Sequence, residues 1–92
     1  MKKKTAYSTV NYDPEVVSEV CSIHFTRVTN AAGRTLYGKI IKDDAEVGSV
    51  SYDEKGGYLI TSLKPYASLT TDEVDTIYLK VPGCVREALS DE

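Results

Sequence analysis

Ile23-His24-Phe25-Thr26-Arg27-Val28-Thr29-Asn30-Ala31-Ala32-Gly33-Arg34-Thr35-Leu36-Tyr37-Gly38-Lys39-Ile40-Ile41 decides the fold. Two runs rich in β-branched and aromatic residues flank Asn30-Ala31-Ala32-Gly33, which places Asn at the first and Gly at the fourth position of a type I turn. Asn caps such a turn through its side chain, and Gly accepts positive φ. The stretch therefore reads as a β-hairpin with a three-residue loop closed by a G1-type bulge. Counting outward from that loop pairs Asn30 with Arg34, Val28 with Leu36, Arg27 with Tyr37, Phe25 with Lys39 and Ile23 with Ile41.

The same grammar recurs at Asp53-Glu54-Lys55-Gly56. Here the count pairs Asp53 with Gly57, Tyr52 with Tyr58, Val50 with Ile60 and Val47 with Leu63, and it expects positive φ at Gly56. Asp43-Asp44-Ala45-Glu46 lacks Gly and reads as a third, looser turn between the two hairpins. In this register each sheet face carries apolar side chains. A sheet apolar on both sides needs a helix on one face and a terminal segment, a second sheet or a partner on the other.

The best helix start follows at Thr70-Thr71-Asp72-Glu73, a capping box with Leu69 and Val74 placed as a hydrophobic staple. Val74, Ile77, Tyr78 and Val81 then recur at i, i+3, i+4 and i+7, which predicts a helix over 71–81 stopped by Pro82-Gly83. Residues 76–81 also alternate and are rich in β-formers, so a strand competes there, and Val85, Ala88 and Leu89 suggest a last helical turn. Near the start, Asp13-Pro14-Glu15 fits the N-cap and N1 of a short N-terminal helix leading into Val16, Val17 and Val20. The sum is an α+β fold: a four-stranded antiparallel β-meander over 20–29, 34–42, 46–53 and 58–64, with one C-terminal helix packed on the sheet.

Ninety-two residues suit one small domain, 1–92, in which 1–12 read as flexible or as an extra edge strand. No repeat or linker-like stretch divides the chain. With 41% hydrophobic and 27% charged residues the composition is globular, and no run approaches the roughly 18 apolar residues of a membrane span. Met1-Lys2-Lys3-Lys4 is not followed by an apolar run of about 7 to 15 residues, so no secretory signal reads out and a cytoplasmic location is expected. Cys21 and Cys84 lie 63 positions apart, no metal-ligand spacing and no CxxC pair. They read as free buried thiols; a disulfide becomes attractive only for a mature secreted chain.

Catalytic chemistry has little to work with. The only histidine, His24, stands three residues from Cys21 on a strand, and odd separation puts the two on opposite faces. Asp43, Asp44, Asp53 and Glu54 occupy turns that need such residues for their own formation. The calcium-loop and phosphate-loop spacings are missed, so neither cofactor nor metal is expected.

Two features stand above this background. Seven tyrosines accompany one Phe and no Trp, a composition suited to interfaces, although Tyr also favours strands. The net charge is −3, yet 20–42 contains no Asp or Glu and carries Arg27, Arg34, Lys39 and Lys42, while 43–54 carries five acids. The leading expectation is a noncatalytic protein-protein interaction module, self-associating or bound to a protein partner through a sheet face or edge, with Tyr37, Tyr52, Tyr58 and Phe25 as contact residues. The alternative is nucleic-acid binding by the basic hairpin, with Arg27, Arg34, Lys39 and Lys42 on phosphates.

Overall fold

Runs of β-branched and aromatic residues bounded by Asn, Asp and Gly give strands, and four of them follow one another as a meander. The computed structural model describes residues 8–64 and 68–90. In chain order the elements are β1 (Ser8–Asn11), β2 (Glu15–Ser18), β3 (Cys21–Asn30), β4 (Gly33–Lys42), β5 (Ala45–Asp53), β6 (Leu59–Leu63) and α1 (Thr71–Ser90). β3 to β6 form the antiparallel meander, and α1 packs on one face of it. The outer edge of β3 is covered in two pieces, β1 along Thr26 to Thr29 and β2 along Cys21 to Ile23. Residues 15–18 thus form a strand, not the short helix that the Asp13-Pro14 start suggests. Val16 and Val17 are β-branched, and the unpaired edge of the long β3 supplies ladder bonds that a one-turn helix cannot match.

The register corrects the turn count by one residue. Asn30 pairs with Gly33, so Phe25 faces Gly38 and Ile23 faces Ile40, where the count opposed them to Lys39 and Ile41. Ala31 and Ala32 form the loop, with the Asn30 side-chain oxygen accepting from the Ala32 N–H at 2.8 Å, and no bulge follows. The physical reason is burial, because a one-residue slip moves every side chain to the other face. The observed register collects Ile23, Phe25, Leu36, Ile40 and Val50 on a single buried face and leaves His24, Thr26, Tyr37 and Lys39 on the other. The β5–β6 hairpin shifts likewise, Tyr52 pairing with Leu59 instead of Tyr58, and the positive φ falls at Gly57 and not Gly56. The turn expected to be loose is tight: Asp43 and Asp44 both adopt left-handed conformations, φ 52° and 66°, in a two-residue loop between Lys42 and Ala45.

The helix also outruns its expected stop by continuing through Pro82 and Gly83 to Ser90. Proline removes one internal hydrogen bond, to the Tyr78 carbonyl, but Pro82 and Gly83 are both exposed and open space surrounds Gly83. The stripe Ile77, Val81, Val85 and Ala88 stays buried past that point against the sheet core, which offsets the lost bond. The capping box forms as read: Thr70 N–H donates to Glu73 Oε1 at 2.9 Å, and Glu73 N–H donates to Thr70 Oγ1 at 3.1 Å.

Candidate functional site

The acid-free stretch positions the helix. At the start of α1, Lys42 Nζ donates to Glu73 Oε1 at 2.8 Å and to the Ser68 carbonyl at 2.5 Å, while Ser18 Oγ donates to Glu73 Oε2 at 2.7 Å. The Lys42 hydrogen bond, then those from Thr70 and Ser18, hold the Glu73 carboxyl at a pKa of about 2, against its ordinary 4.5. At the far end no basic residue of the helix itself meets the last carbonyls. The sheet supplies them: Arg27 Nη1 donates to the Ala88 carbonyl at 2.8 Å, and Arg34 Nη1 to that of Leu89 at 2.6 Å. Cations at a helix C-terminus meet both its unpaired carbonyls and its dipole. Arg34 also forms a two-pronged pair with Glu54, at 2.7 and 3.1 Å, and its side-chain hydrogen bonds lower the Glu54 pKa.

Three of the four proposed phosphate ligands, Arg27, Arg34 and Lys42, are therefore engaged inside the fold, and Arg27 is only 6% exposed. Lys39 alone stands in solvent, on the uncovered sheet face. Of the proposed contact residues, Phe25 is buried under the helix with its ring across Gly38, and Tyr52 is half-buried against the core. Tyr37 and Tyr58 are exposed, at 51% and 77%.

Because its anchors lie on β2, β3 and β4, the helix leaves a cleft on each flank. On the β1–β2 side a cleft of about 600 Å³ is lined by Tyr12, Asp13, Pro14, Glu15, Phe25, Cys84, Glu87, Ala88 and Ser90. It is rimmed by carboxylates, and Lys80 closes on Glu15 at 3.0 Å. Burial, and then the charges of Glu15 and Glu87, push the Cys84 thiol up, which makes it a poor nucleophile. Cys21 is buried and likewise raised, chiefly by burial, and both thiols are free. His24 stands on the opposite sheet face from Cys21 and approaches only the Ser22 hydroxyl, at 3.0 Å between Oγ and Nε2. Among the described residues no three His, Cys, Asp or Glu side chains converge as a metal site.

The β6 flank differs in chemistry. A smaller cleft of about 190 Å³ lies between Leu59 and Thr61 on the strand and Tyr78, Val81 and Pro82 on the helix. Leu59 and Tyr78 at its rim are 37% and 49% exposed, Tyr58 and Ile60 next to Leu59 in the chain are 77% and 55% exposed, and Leu79, at 81%, lies on the helix face turned away from the buried stripe. Ile60 lies in one cross-strand row with Ser51 and Tyr37 on the uncovered face, so the strand is flanked by apolar side chains on both sides. Among the described residues β6 pairs with β5 only. The Lys64 N–H donates to the Val47 carbonyl at 2.6 Å, which fixes the ladder parity. Even-numbered residues bond to β5, and the N–H and C=O groups of Leu59, Thr61 and Leu63 point outward. The sequence singled out Tyr58 here but missed Leu59, Ile60, Tyr78 and Leu79. One signal was present: Leu79 lies off the helical stripe of Ile77 and Val81.

Among the described residues no helix is long and apolar enough to cross a membrane. Comparison with protein-family models, curated proteins and solved structures finds no match to this chain.

Proposed function

We propose that this protein is a noncatalytic interaction module that captures an extended protein segment by strand addition along β6. The observation that carries this reading is the chemistry of that edge. Leu59-Ile60-Thr61-Ser62-Leu63 has no charge and no proline, and its pairing with β5 runs without a bulge. Natural sheets ordinarily guard such an edge with charges, proline or a bulge. Outward main-chain groups would supply affinity, and the cleft beside Tyr78 and Pro82 would accept an alternate apolar side chain of the added strand.

A labelled synthetic peptide of residues 58–64 tests the reading by fluorescence anisotropy against the full chain. Saturable binding is expected, together with its loss in Thr61→Pro, which removes an outward N–H and leaves the bonds to β5 in place. Absence of binding to the wild-type chain, or equal binding to Thr61→Pro, would overturn the reading.

A further inference from the structure

We infer that the segment received by β6 is the β6 strand of a second copy of this chain, paired antiparallel about Thr61; this rests on the strand-capture reading above. The strand is uncharged and symmetric at its ends: centred on Thr61, Leu59 is matched by Leu63, and the larger Ile60 stands against the small Ser62. The outward main-chain groups are those of Leu59, Thr61 and Leu63, as the Lys64 N–H to Val47 bond dictates. An antiparallel two-fold at Thr61 opposes Leu59 to Leu63 of the second copy and Thr61 to itself. Every outward N–H and C=O on the strand then finds a partner, and the pairing satisfies both edges at once.

The side chains agree with that register. Leu59, Thr61 and Leu63 share the helix side of the sheet, so Leu63 of one copy stands beside Leu59 of the other, at the mouth of the apolar cleft under Tyr78 and Pro82. On the uncovered side Ile60 faces Ser62. No charge within the strand meets a like charge, and Lys64 comes opposite Tyr58, a favourable neighbour for an ammonium group. The contact is isologous and consumes both free edges, so it closes at two copies instead of growing.

Sedimentation velocity of the full chain over a wide concentration range tests this. A monomer–dimer equilibrium is expected, weakened at least about tenfold in Thr61→Pro, because the two-fold removes both Thr61 N–H to C=O bonds of the pair at once. Circular dichroism and melting check that this variant is folded. Thr61→Cys supplies an independent readout: two-fold related Cα atoms at a hydrogen-bonded pair lie about 5.5 Å apart, the Cα spacing of disulfides, so mild oxidation should give a covalent dimer, whereas Thr35→Cys should not. A chain that stays monomeric and uncrosslinked while still binding the 58–64 peptide overturns the self-pairing and leaves strand capture standing. A dimer indifferent to Thr61→Pro and not trapped by Thr61→Cys overturns the self-pairing, and strand capture falls with it where the 58–64 peptide also fails to bind.

Discussion

The two edges of this sheet are built on opposite principles. One is a strand in two pieces: β1 and β2 are four residues each, Asp13-Pro14 interrupts them, and the pairing with β3 shifts between Val16 and Ser18. Each of these features spoils the edge as a template for another strand. The other, β6, is straight, uncharged and flanked by exposed apolar side chains. The clefts beside the helix repeat the contrast, carboxylates lining the first and Leu59, Tyr78 and Pro82 the second. The difference is one of edge chemistry: the first edge carries the features that discourage strand addition, and the second lacks them.

The strongest way to break the contrast is to repair the interrupted edge. Asp13→Val combined with Pro14→Thr removes the charge and the proline, and should turn a closing dimer into open-ended assemblies, since each copy would then carry two receptive edges. Light scattering against concentration reads this, and unchanged particle size would show that the interruption has no protective role.

Next in size is the anchor that keeps the helix off the β6 side. Glu73→Gln should destabilise the fold by about 2 kcal/mol, because Lys42 is left half-buried without its charge partner. That is a fall of roughly 8 to 16 °C in Tm for a chain of this size. The wild type should show the matching pH dependence. The folded-state pKa of Glu73 lies below its ordinary value, so its contribution is present in full above about pH 4.5 and is lost as pH falls toward about 2. Glu73→Gln should flatten that part of the Tm profile, and an unchanged profile would contradict the role given to this carboxylate.

Ile60→Lys sharpens the comparison from the open side. A lysine on the uncovered flank of β6 is the edge-guarding device that the strand lacks, so association should weaken about tenfold while Tm moves by less than about 1 kcal/mol equivalent. The smallest effect is expected at the exposed Arg34–Glu54 pair. Glu54→Gln should leave Tm, association and the helix position nearly unchanged, since the pair is solvent-exposed and Arg34 keeps its bond to the Leu89 carbonyl.

How much of this was legible follows the range of each interaction. The capping box at Thr70 and Glu73 involves residues three apart, and it was readable. So was the placement of Cys21 and His24 on opposite faces, since strand alternation settles it. The registers were not, because Asn30 to Gly33 and Asp53 to Gly56 each permit neighbouring loop lengths, and only packing against α1 selects between them. The slipped count also split the core between the two faces; with Phe25 facing Gly38 the buried residues gather on one, while Val28, Tyr37, Ile41 and Ile60 remain on the other. The helix past Pro82 was hidden because its end is held by Arg27 and Arg34, 61 and 55 positions away from the carbonyls they meet. The same distance concealed the role of Arg27, Arg34 and Lys42, which hold the two ends of the helix. At the surface, Tyr58 was legible as an interface residue, whereas Ile60 depended on the register and Tyr78 on the off-centre seat of the helix.

Amide hydrogen exchange, resolved by residue and measured on dilute and concentrated protein, tests the central claim most directly. The amides of Leu59, Thr61 and Leu63 should exchange fast in dilute solution and gain protection as concentration rises, while those of Ile60 and Ser62, already bonded to β5, stay protected throughout. Protection at Leu59, Thr61 and Leu63 that is independent of concentration, or a concentration-dependent gain confined to β1 and β2, would contradict it.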